Sequence, residues 1–105
     1  MTDQGERKSG GAVQEKVRPK TRQPRMFRVL LHNDDYTTME FVVYVLETIF
    51  NKGPAEAHLI MMHVHVRGRG VCGRYTHEVA ETKVAAVHGL ARDNGFPLRA
   101  SLEEE

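Results

Sequence analysis

The apolar run Phe27–Leu31 stops abruptly at Asn33-Asp34-Asp35, and this junction constrains the fold more than any other stretch of the chain. The run has the length and composition of a short buried strand. Asn and Asp then favour a turn, because their side chains bond nearby backbone. Thr37 and Glu40 follow at the spacing of a capping box, and an apolar-periodic helix comes next. Two carboxylates and an amide are thereby set at a strand-to-helix junction, beside a helical turn rich in Met and Val. This is the layout of a small polar mouth next to an apolar pocket.

The remaining punctuation gives an order of elements. Strand one spans 26–32 and helix one 38–51, whose face is formed by Met39, Val42, Val43, Leu46, Ile49 and Phe50. Lys52-Gly53-Pro54 separates it from helix two, with Gly past the end of one helix and Pro at the first position of the next. Helix two, 54–66, has a wide apolar arc (Ala57, Leu59, Ile60, Met61, Met62, Val64, Val66), as expected for packing on more than one neighbour. Arg67-Gly68-Arg69-Gly70 supplies a turn into strand two, 71–75, where glycine weakens the strand pattern. Thr76 caps helix three, 77–94, whose stripe is Ala80, Val84, Val87 and Ala91, extended by Val79 and Leu90. Gly95 and Phe96-Pro97 end it, and 98–102 is a last strand. The order β-α-α-β-α-β predicts a small α+β sandwich: a three-stranded antiparallel sheet with three helices packed on one face.

At 105 residues the chain makes one domain at most. Residues 1–25 hold few hydrophobes and carry seven Lys/Arg against three Asp/Glu, whereas 26–105 carry eight against eleven. The first segment reads as a disordered basic extension, too poor in apolar surface to offset its ordering entropy. The folded domain, 26–105, is slightly acidic, which disfavours a nucleic-acid clamp. A small nucleic-acid- or ribosome-binding protein working through the basic arm is the alternative reading, and steep salt dependence with RNA would favour it. The single cysteine, Cys72, excludes an intramolecular disulfide. With no secretory h-region and no run of about 18 apolar residues, the expectation is a cytoplasmic protein that does not engage a membrane.

Each cluster of reactive side chains has a bland reading beside the chemical one. Asn33-Asp34-Asp35 suits an ordinary turn, or a receptor for an ammonium group, which has donors and no acceptor. His63 and His65 are two residues apart and do not share a helical face, and His58, His77 and Cys72 add no zinc-like spacing. No metal, cofactor or enzymatic activity is expected, and a metal assay tests the competing reading of a metal-dependent enzyme. Met39, Met61 and Met62 suit core filling, or a pocket that accepts several apolar shapes. Glu78, Glu81, Thr82 and Lys83 read as the solvated part of helix three.

Several motifs together resemble the ClpS family. They are Asn33-Asp34-Asp35-Tyr36-Thr37, Met39-Glu40-Phe41-Val42, Cys72-Gly73, Glu78-Val79-Ala80-Glu81-Thr82-Lys83-Val84 and Pro97-Leu98, in order across about 26–103. ClpS proteins are adaptors of the ATP-dependent Clp protease. The resemblance implies the same β-α-α-β-α-β sandwich and a monomeric adaptor. It implies binding of N-degron peptides and proteins that begin with Phe, Tyr, Trp or Leu, and their delivery to the AAA+ unfoldase ClpA within ClpAP. On this chain it implies that Asn33, Asp34 and His65 hold the substrate's α-amino group. It also implies that Thr37, Met39, Val42, Met61, Val64 and Leu98 wall the side-chain pocket, and that Tyr36, Glu78 and Lys83 meet the ClpA N-domain. Thr38 stands where the family commonly has Pro, and since both tolerate the first helical turn little change is expected.

Overall fold

The computed structural model describes residues 24–105. The elements are β1 (Met26–His32), α1 (Met39–Thr48), α2 (Pro54–Arg67), β2 (Arg69–Thr76), α3 (His77–Asp93) and β3 (Arg99–Glu104). The expected disordered extension, 1–25, lies outside the described residues except for Pro24 and Arg25. The order is the predicted β-α-α-β-α-β, and the three strands form one antiparallel sheet with β1 between β2 and β3.

The strand period of two decides what faces the helices. Val29 and Leu31 of β1 are fully buried and pack with Phe41, Val42, Val45 and Leu46 of α1, Met61 and Val64 of α2, and Ala80, Val87 and Ala91 of α3. Arg28, Leu30 and His32 alternate with them on the opposite side of β1. The β1–β2 register slips between Val29 and Leu30, a bulge that leaves Cys72 without a partner on β1 and buried in the core. Gly70 and Gly73 do not interrupt β2. Val64 Cγ2 would meet a Cβ at Gly70 at 2.9 Å, and the Tyr75 hydroxyl occupies the space a Cβ at Gly73 would need, so both positions are set by close packing.

Several helix boundaries and faces differ from the sequence expectation. Thr38, not Thr37, is the N-cap of α1, and its hydroxyl accepts from Phe41 N–H at 3.1 Å. The expected Thr37/Glu40 box is absent because Thr37 is engaged by Asp34. Thr38 therefore sits before the first turn and supplies a side-chain cap that a proline cannot. The left-handed residue after α1 is Asn51 (φ 56°), while Gly53, at φ −70°, is the N-cap of α2. On α1 the buried face includes Phe41 and Val45, which the expected stripe lacked, whereas Met39 is 42% exposed. The wide arc of α2 is not all packed: Ala57, Met61 and Val64 are buried, but Leu59 and Val66 are each 69% exposed. On α3, Val79 also faces solvent. Thr76 occupies the N-cap of α3 without a side-chain bond, and Gly95 (φ 77°) turns the chain so that Phe96 N–H reaches Ala91 C=O at 2.9 Å.

Candidate functional site

The β1–α1 loop is built around the Asp34 carboxylate. Its Oδ1 accepts from Tyr36 N–H at 2.8 Å and Thr37 N–H at 2.7 Å, and its Oδ2 accepts from the Thr37 hydroxyl at 2.7 Å. Burial is the largest single influence on this carboxyl and acts upward. The bonds from the Thr37 hydroxyl, the Thr37 amide and the Tyr36 amide together outweigh it, so Asp34 titrates below its ordinary value. Asn33 is fixed from the other side, where its N–H donates to Gly68 C=O at 2.8 Å, just past the end of α2. That bond ties the start of the loop to the turn of helix carrying His65.

Between this loop, the start of α1 and the last half of α2 lies a cavity of about 240 Å³. Its polar side is Asn33, Asp34, Asp35 and His65, its apolar side is Met39, Val42, Met61 and Val64, and Thr37 stands between the two. Such a volume is below the ~300–1,000 Å³ of pockets for drug-sized ligands and suits a single side chain. Val42 and Val64 are buried and form fixed walls, while Met39 is 42% exposed at the rim and has a flexible thioether. Met39 and Met61 also border a more open groove with Glu40, Val43 and His58.

The residues nominated from sequence for the amino-group site and the pocket meet here, with one exception. Leu98 is 3% exposed, packs in the core and does not line the cavity. Asp35 lines it as well, and its place beside Asp34 in the polar cluster is the sign of this in the sequence. The three residues nominated for the unfoldase interface are not gathered in one cluster. Tyr36 is 78% exposed in the loop after β1, while Glu78 follows Thr76, the partner of Met26, so the register sets them beyond opposite ends of β1. Lys83 is not a freely solvated side chain. Its ammonium donates to Ile49 C=O at 2.7 Å at the end of α1 and lies 5.6 Å from the Tyr75 ring centre and 6.0 Å from that of Phe50. Among the described residues, no three His, Cys, Asp or Glu side chains converge as metal ligands, and no helix is long and apolar enough to cross a membrane.

The chain is similar to known proteins. The profile of the family described as ATP-dependent Clp protease adaptor protein ClpS matches residues 22–101. The ATP-dependent Clp protease adapter protein ClpS of Desulfatibacillum aliphaticivorans is 64% identical over 86 residues, covering 82% of this chain and 83% of the relative. Its counterpart in Phenylobacterium zucineum is 54% identical over 109 residues, covering 100% of both chains. The solved structure of Agrobacterium tumefaciens ClpS2 bound to L-phenylalaninamide superposes with a TM-score of 0.76 at 36% identity, covering 79% of this chain and 100% of that one. The chain therefore belongs to the ClpS family, the adaptor proteins of the ATP-dependent Clp protease.

Proposed function

We propose that this adaptor binds proteins whose first residue is Phe, Tyr, Trp or Leu and delivers them to the ClpAP protease. A peptide α-amino group ordinarily titrates at about 7.7–8.0, so it is mostly cationic at neutral pH. It donates to the Asn33 side-chain oxygen, the Asp34 carboxylate and His65, while the first side chain enters the space between Met39, Val42, Met61 and Val64. An internal residue has no ammonium group, so the site reads chain ends. The observation that carries this reading is the single cavity in which a braced carboxylate and an amide stand at the mouth of an apolar wall. The phenylalaninamide held by the Agrobacterium tumefaciens relative, an aromatic residue with a free amino group, supports the same ligand class.

Each charge-assisted hydrogen bond contributes about 1.5–3 kcal/mol, and burying a Phe or Leu side chain contributes about as much. Less the cost of association, this amounts to a micromolar or somewhat tighter complex, weak enough to release cargo. Titration with a labelled Phe-first peptide tests recognition, and binding no tighter than that of a Gly-first control would overturn it.

Delivery uses Tyr36, Glu78 and Lys83 against the ClpA N-domain, with residues 1–25 acting on the unfoldase. A fully extended 25-residue chain reaches about 83–90 Å, enough to touch the unfoldase while the domain stays docked. Deleting residues 2–20 leaves Phe-first peptide affinity within a factor of about two but severely slows ClpAP degradation of a Phe-first substrate. Normal degradation by the truncated chain would show the arm to be passive.

A further inference from the structure

The helices cover one face of the sheet, and the other face carries an unusual rung. Antiparallel pairing sets Arg69 of β2 and Arg99 of β3 directly opposite His32 of β1, one on each side. Neighbouring strands are about 4.8 Å apart, so the two arginine backbones stand roughly 10 Å from each other across the histidine. The His32 Nε2 lies 2.7 Å from the Ser101 hydroxyl, which fixes the ring on this face. Burial first, and then the positive charges of Arg99 and Arg69, push the His32 pKa down, while Glu103 acts weakly the other way. These are the charged groups that act on the ring.

Two like charges on either side of one residue repel, though more weakly than a directly opposite pair would. The compensation available within the domain is small. Glu103 is the acid near the rung, and it is held closer to Arg28, at 2.9 Å, than to Arg69, at 3.9 Å. Arg99 is exposed and has no carboxylate within ion-pair distance among the described residues. Two arginines on one face of the sheet therefore flank His32, and Glu103 is the one carboxylate that pairs with either of them among the described residues. A carboxylate can be satisfied by one fork, but a tetrahedral dianion presents oxygens to both arginines and to a ring N–H of His32.

We propose that the Arg69–His32–Arg99 rung is a binding site for a tetrahedral dianion of the phosphate class. This site is on the sheet face away from the helices and is separate from the cavity described above. A neutral His32 that accepts from the Ser101 hydroxyl through Nε2 keeps Nδ1–H as a donor to the anion. Bound phosphate offsets the positive charge of the two arginines.

The test is a titration of the full chain with sodium phosphate at fixed pH, against sodium chloride at equal ionic strength, following the His32 ring signals by NMR. The expected result is a saturable shift with a Kd on the order of 1 mM or tighter. Arg99→Gln and Arg69→Gln, on opposite strands, should each weaken it by about tenfold or more, while Arg92→Gln on α3 leaves it unchanged. A phosphoserine peptide compared with inorganic phosphate separates the two sources: whichever binds more tightly identifies the native form of the group. A shift that chloride reproduces, or a Kd unaffected by both rung substitutions, overturns the proposal.

Discussion

Replacing Asp34 by Asn separates its two roles. The carboxylate braces its own loop through three bonds, and in the proposed complex it also meets the substrate ammonium. An asparagine oxygen can still accept from the Tyr36 and Thr37 amides, and its NH₂ can donate to the Thr37 hydroxyl, so the loop keeps its shape. What is lost is charge. The ammonium still donates to a neutral amide oxygen, so the loss is that of the carboxylate's charge alone, about 1–1.5 kcal/mol out of the about 1.5–3 kcal/mol of the charged bond. The Phe-first peptide should therefore bind about 5- to 12-fold more weakly. Asp34→Ala removes the brace as well and should cost at least about 100-fold. Fluorescence anisotropy with a labelled peptide measures both. The same substitution reads the pH dependence of stability. Because the folded pKa of Asp34 lies below its ordinary value near 3.8, its contribution is complete above that value and is lost as pH falls through the lower folded one. The stability gap between wild type and Asp34→Asn should accordingly narrow on acidification below about pH 4. An Asn variant that binds the peptide as tightly as wild type would refute the charge argument. Equal losses in the Asn and Ala variants, with the Asn loop still folded by NMR, would refute the separation of brace from ligand.

Met39→Ala should open the rim of the pocket and let Ile- or Val-first peptides bind measurably, because their branch at Cβ lies close to the backbone. An unchanged preference in peptide competition would remove Met39 from the specificity assignment. Lys83→Met removes a charged bond to Ile49 C=O at the C-terminal end of α1 and should lower stability by about 1–2 kcal/mol in urea denaturation. An unshifted midpoint would return Lys83 to the class of solvated surface residues.

Much of this fold was legible because punctuation and period agreed. The apolar run Phe27–Leu31 stops at polar turn residues, Pro54 opens α2, and Gly68 and Gly95 close α2 and α3 at positive φ. Boundaries shifted where a side chain had two possible uses. Thr37 has the spacing of a cap, yet Asp34 takes its hydroxyl, and the neighbouring Thr38 caps instead. No periodicity distinguishes these outcomes, since both threonines are good caps and only the loop geometry selects one. Met39 fits the apolar stripe of α1 but lies before the point where the helix meets the core, so it rims a cavity. Lys83 reads as solvated by type, but the end of α1 brings Ile49 C=O to its ammonium, a contact across 34 residues that no local pattern encodes. The polar mouth was visible as the Asn33-Asp34-Asp35 cluster. That His65 would join it depends on the bond from Asn33 to Gly68, which is tertiary.

The central claim is that the cavity reads a free amino terminus together with the first side chain. The most direct measurement is the affinity of one Phe-first peptide with its α-amino group free and with the same group acetylated. Acetylation removes the charge and replaces it with a bulky amide while leaving the phenyl ring unchanged. Micromolar or tighter binding of the free peptide, with at least a 100-fold loss on acetylation (about 2.7 kcal/mol or more), is the predicted result. Equal affinity for the two peptides would contradict the account.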